Sequence, residues 1–145
     1  MDRSNPMTRK LMVHAFCGAV TACAFGLTLG HILVRHLDNL FRAGAVLSGG
    51  AVVFVLITTH YTVKRFAVSE AARKSARQFL WSCVFFAMIS AMFGLQVAGV
   101  SWFSTDFLHK FGFVFWGLMT CVAIFPVRRD ARRLANAVER EMASR

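Results

Sequence analysis

The sequence predicts an all-α membrane protein, an antiparallel four-transmembrane-helix bundle with a cytoplasmic amphipathic C-terminal helix. Three observations lead there. Four apolar windows, residues 11–34, 44–63, 79–100 and 111–127, contain no Asp, Glu, Lys or Arg. About 20 such residues, rising 1.5 Å each, cross a hydrocarbon core about 30 Å thick. Hydrophobic residues make up 57% of the 145 positions, yet the formal net charge is +10, so apolar bulk and basic charge are segregated along the chain. The basic residues also alternate between crowded and sparse connecting segments. A nucleic-acid-binding protein would share the charge but not apolar runs of this length, so nucleic acid is not an expected partner.

The chain opens with "SNPMTRK", where Asn5 suits a helix N-cap and Pro6 the first helical position. "VTAC", ending at Cys23, loosely resembles a lipoprotein cleavage box. The apolar run continues through "AFGLTLGHILV", too long for a signal core, so a span is expected. Within this window Gly18, Ala22, Gly26 and Gly30 recur every fourth residue as a stripe with little side-chain bulk. Lipid tails are as apolar as leucine, so membrane helices associate through close van der Waals contact, which small residues permit. Thr28 lies beside the stripe and can add a hydrogen bond between helices.

The segment "RHLDNLFRA" is short, which makes the first two spans antiparallel neighbours. Ser48, Gly49 and Gly50 slim one end of the second span. The basic loop 64–78 follows, with Ser69 as a candidate cap and enough Ala, Lys and Arg to extend the third helix beyond its apolar window. That third window carries its own small-residue stripe, Ser90, Gly94 and Ala98. After the short segment "SWFSTDFLHK" comes the fourth window, where Pro126 is expected to bend the junction with the tail. Residues 1–127 thus form a transmembrane domain, and residues 128–145 a basic amphipathic helix. Val127, Ala131, Leu134, Ala135, Val138 and Met142 recur at helical spacing on one side of that helix, with arginines and acids on the remaining faces. Such a helix suits anionic lipid, a copy of itself or a cytoplasmic partner.

Fourteen Lys and Arg residues lie in the N-terminal tail, the 64–78 segment and the C-terminal tail, against Arg35, Arg42 and Lys110 on the other side. The positive-inside bias therefore puts both termini in the cytoplasm. Lys64, Arg65, Arg73, Lys74, Arg77, Arg128, Arg129, Arg132 and Arg133 form the expected surface for anionic headgroups or a partner protein. Tyr61 and Trp81 fall at the inner interface and Trp102 at the outer one, where amphipathic rings settle, while Trp116 suits packing within its span.

The chemistry-bearing residues are few. Cys17, Cys23, Cys83 and Cys121 all fall inside spans and read as small apolar packing residues, not a disulfide frame. Met88 and Met92, with Cys83, Met119 and Cys121, have the ligand chemistry of a soft metal site. No CxxC or methionine-rich tail accompanies them, so no metal is expected. His14 and His60 fall at similar depth near one surface, and His31, His36 and His109 near the other. The favoured reading is histidine at the interface. The alternative is bis-histidine haem b, with pairs His14/His60 and His31/His109. Against haem, His14 and His31 stand 17 positions apart in the sequence, about 25 Å along a helix, and both tiers are shallow, where histidine meets headgroup water. No span carries a carboxylate for ion coupling, Gln96 is the only amide within a span, and no phosphate loop, nucleophile elbow or zinc-protease signature occurs. These features point to a non-enzymatic accessory or assembly subunit of a larger membrane complex. Compactness and minimal loops point to a bacterial inner membrane. A haem-binding electron-transfer anchor and a small channel or membrane-perturbing protein are the alternatives.

Overall fold

The structure, a computed structural model, describes residues 6–35, 39–66, 69–100 and 106–143. They form four helices in order: α1 (Pro6–Arg35), α2 (Asn39–Phe66), α3 (Glu70–Val97) and α4 (Asp106–Ala143). All four are long and apolar enough to cross a membrane. Several hydroxyl groups within the apolar windows donate to carbonyls of their own helices. Thr59 Oγ1 donates to the Val55 carbonyl at 2.7 Å, Ser90 Oγ to Phe86 at 2.8 Å and Thr120 Oγ1 to Trp116 at 2.8 Å. This lets polar side chains sit where no water reaches them.

Pro6 opens α1, the position where its missing N–H costs nothing; Asn5 lies outside the described residues. Ser69 caps α3, with extended backbone and Oγ accepting from the Ala72 N–H at 3.2 Å. Most of the basic segment 64–78 is therefore helix, shared between the end of α2 and the start of α3. The third apolar window runs to residue 100, but α3 stops at Val97. Gly99 takes φ +91°, its N–H donates to the Gln96 carbonyl, and the Val100 N–H donates to that of Leu95. That pattern is a Schellman motif, and its left-handed residue favours glycine. Pro126 does not separate the tail from the fourth span, since α4 continues through it to Ala143. At 1.5 Å per residue its 38 residues measure roughly 57 Å, well beyond a hydrocarbon core of about 30 Å.

α1 and α3 make the most extensive contact in the molecule, and they run in the same direction. Phe16 meets Phe86 edge-to-face at 5.9 Å, Gly26 lies against Ala91, and Gly30 against Ala98 and Val100. α2 runs oppositely along α1, with Gly18 beside Val55, Phe25 over Gly49, and Thr28 Oγ1 3.3 Å from Ser48 Oγ. α4 runs oppositely along α3, from Gly112 and Gln96 at one end to Glu141 and Ser69 at the other. α2 is peripheral and touches α3 only slightly.

The main buried cluster lies toward the end where α1 and α3 begin. Leu11 and Ala15, Val63, Ala72, Ala76 and Phe79, and Val127, Ala131, Leu134 and Val138 meet there. The apolar face of the tail is thus largely buried within this cluster, while Met142 at its end is exposed. Asp130, which the sequence pattern places among the polar faces, is buried on that apolar side. Trp116 packs at the margin of the cluster.

The α1–α3 contact gives a clean test. A methyl group added at Gly26 would overlap the Ala91 carbonyl, and one at Gly94 would overlap the Cys23 carbonyl and stand 2.8 Å from the Leu27 nitrogen. Nothing lies within 4 Å of a methyl group at Gly50. Thermal unfolding in detergent should show Gly26→Ala and Gly94→Ala each losing about 1–3 kcal/mol. Gly50→Ala should be neutral or gain up to about 1 kcal/mol.

Candidate functional site

Four helix ends converge at the basic end: the starts of α1 and α3 and the finishes of α2 and α4. Two local interactions tie them together. The Ser69 N–H donates to Glu141 Oε2 at 3.2 Å. In a capping box, an acid three residues into the same helix satisfies the N-cap N–H. Here the third helical residue is Ala72, and the acid comes instead from the far end of α4. The start of α3 is thereby fastened to the end of the tail.

The second interaction centres on Asp130, whose side chain is only 6% exposed. Ser82 Oγ of α3 donates to Oδ2 at 2.6 Å, Arg129 Nε lies 3.2 Å from Oδ1, and Arg133 Nη1 lies 3.9 Å away. A buried carboxylate is tolerated only when paired and hydrogen-bonded, and these groups meet that requirement. Sequence reasoning missed both Asp130 and Ser82. The usable signal was helical spacing, because Asp130 stands three residues after Val127 and four before Leu134.

The nine basic residues expected at this surface are all exposed. Lys64 and Arg65 close α2, Arg73, Lys74 and Arg77 lie on the first turns of α3, and Arg128, Arg129, Arg132 and Arg133 lie on α4. They differ in their counter-charges, since Asp130 serves Arg129 and Arg133. Among the described residues no carboxylate pairs with Lys64, Arg73 or Arg77. Tyr61 and Trp81 are exposed beside this group, while Trp102 lies outside the described residues.

Two open clefts occur here. One, of about 630 Å³, separates α2 from α3 and is lined by His60, Val63, Lys64, Arg73, Ala76, Arg77 and Leu80. The other, of about 650 Å³, is mainly apolar and lies among α1, α2 and α4, with His14, Leu11, Thr62, Val138 and Met142 on its walls. His14 and His60 therefore line different clefts. His31 Nδ1 lies 3.0 Å from the Leu27 carbonyl of its own helix. His36 and the His109 side chain lie outside the described residues. No group of three or more His, Cys, Asp or Glu side chains suited to a metal occurs among the described residues. Met88 and Cys121 face outward while Cys83 is buried.

The small-residue positions sort by partner. Gly26, Gly30, Gly94 and Ala98 come together between α1 and α3, and Ala22 and Ser90 are buried. Gly18 instead faces α2, against Val55. Comparison with family models, curated proteins and solved structures finds no match.

The Ser82–Asp130 pair predicts a non-additive mutant cycle. Ser82→Ala should cost about 1.5–3 kcal/mol, the range for a hydrogen bond to a charged group. The double variant Ser82→Ala/Asp130→Leu should be less destabilised than Ser82→Ala alone, because both polar partners are then gone. Denaturant unfolding in detergent reads the cycle, and additive losses would contradict the pairing.

Proposed function

We propose that this chain is a small polytopic inner-membrane protein that acts as a non-enzymatic accessory or assembly subunit of a larger membrane complex. It is an antiparallel four-transmembrane-helix bundle with both termini in the cytoplasm, in a bacterial inner membrane. Its amphipathic tail is the cytoplasmic end of the fourth helix, and its basic face meets anionic lipid and a partner subunit or a second copy.

The observation that carries this reading is the outer face of α4. Phe111, Phe115, Leu118, Val122 and Phe125 follow a three-four spacing and are all exposed. Spacing of this kind aligns side chains into a single seam along a helix. Aromatic seams of this length offer large contact area at low side-chain entropy cost, which suits a neighbouring membrane helix as well as lipid. The slim contacts at Gly26 and Gly94 are already used inside the chain, whereas this seam is an exposed face open to assembly. The arginines on the same helix lie beyond it, where a cytoplasmic part of the partner would sit.

Purification at native expression level in mild detergent tests the reading. The chain should migrate as part of a larger assembly. Changing Phe115 and Phe125 to leucine, which preserves lipid compatibility, should reduce co-purification severalfold. A clean monomer from the unmodified chain would contradict the proposal.

A further inference from the structure

The cleft between α2 and α3 differs from the rest of the basic end in charge balance. Lys64 projects from the last turns of α2, and Arg73 and Arg77, one turn apart, project from α3. No acidic side chain lines the cleft among the described residues, and none pairs with these three cations. By contrast, Arg129 and Arg133 already have Asp130. The floor beneath the cations is apolar, made by Val63, Ala76 and Leu80. Three uncompensated cations over an apolar floor match a ligand that carries phosphate at one end and hydrocarbon at the other.

Depth supports the same ligand. Tyr61 and Trp81 adjoin the cleft residues in sequence and are 67% and 68% exposed. Amphipathic rings settle at the headgroup level of a bilayer. The slight contact between α2 and α3 leaves the cleft open at its side, so an acyl chain can follow Leu80 downward without entering the bundle. Guanidinium groups bind phosphate oxygens through two parallel hydrogen bonds, which gives Arg73 and Arg77 geometric as well as electrostatic selectivity.

We propose that this cleft is a binding site for the phosphate of an anionic phospholipid. Lys64, Arg73 and Arg77 hold the phosphate, and Val63 and Leu80 hold the start of an acyl chain. The proposal rests on the reading of the chain as a membrane-embedded bundle whose basic end lies at the headgroup level. Basic clefts between membrane helices on the cytoplasmic side are suited to such headgroups.

The test uses the full chain in nanodiscs of phosphatidylcholine with a minor fraction of either phosphatidylglycerol or cardiolipin. Lipid retained on the protein after transfer to detergent is counted by native mass spectrometry. The unmodified chain should retain anionic lipid over phosphatidylcholine. Lys64→Gln/Arg73→Gln/Arg77→Gln should lower that retention about tenfold. Arg65→Gln/Lys74→Gln/Arg128→Gln removes the same charge from the same end while leaving the Asp130 pairs intact, and should change it less than twofold. All six positions are exposed, and unchanged unfolding midpoints verify that both variants fold. Equal losses in the two variants, or no loss in the first, would overturn the cleft as a site. Displacement of the lipid by millimolar inorganic phosphate would overturn the lipid as its occupant and leave a free-anion site. Failure of the unmodified chain to enter nanodiscs would overturn the membrane reading itself; entry without cleft-dependent retention overturns only this inference.

Discussion

The arrangement depends on one close approach, the contact of the α1 and α3 backbones at Gly26 and Gly94. Each glycine lies against the other helix's main chain, Gly26 on Ala91 and Gly94 on the Cys23 carbonyl. The contact is reciprocal, so neither helix supplies a groove alone. In lipid no hydrophobic force drives helices together, and the gain comes from van der Waals contact that any added side chain would prevent. The other helices take their positions from this pair. α2 lays Gly49 under Phe25 of α1, and α4 lays Gly112 over the buried Gln96 of α3.

The same helices are held by different physics at the basic end. Ala72, Phe79, Val127, Ala131 and Leu134 are fully buried, although several lie outside the apolar windows. If that end projects into water, burial of such side chains is favourable by about 25 cal/mol per Å² of apolar surface. The Ser69–Glu141 hydrogen bond and the Ser82–Asp130 pair then add directional restraint between α3 and α4. The long α4 joins the two regimes, with its aromatic outer seam at one level and its arginines at the other. The clefts lie where the two regimes meet. There α2, held mainly by α1, does not close fully against α3.

Much of this fold could be read from the chain because its strongest signals are local. Charge-free windows reveal long apolar helices, Ser69 followed by an Ala-rich basic run reveals a helix start, and every-fourth-residue glycine reveals a slim face. Partner choice could not be read that way. Gly18 shares the stripe of Gly26 and Gly30, yet faces Val55 of α2, because a stripe of every fourth residue drifts about 40° per step around a helix of 3.6 residues per turn. The stop at Gly99 was hidden by apolar residues on both sides of it. Asp130 was hidden by its arginine neighbours, which suggest a polar face although its spacing places it on the apolar one. The basic site was legible as a set of nine residues. Arg129 and Arg133 have their counter-charge close by on α4, but the burial of that carboxylate depends on Ser82, 48 positions away in sequence on α3.

The central claim is that this chain crosses the bilayer four times, with its four basic helix ends on the cytoplasmic side. Thiol labelling from each side of sealed membranes tests it most directly, using a chain with its four native cysteines changed to alanine. New cysteines at Asn136, exposed on the tail, and at Ala43, exposed at the opposite end, serve as reporters. An impermeant reagent should reach Asn136→Cys only from the cytoplasmic side and Ala43→Cys only from the other. Labelling of both from one side would contradict the account.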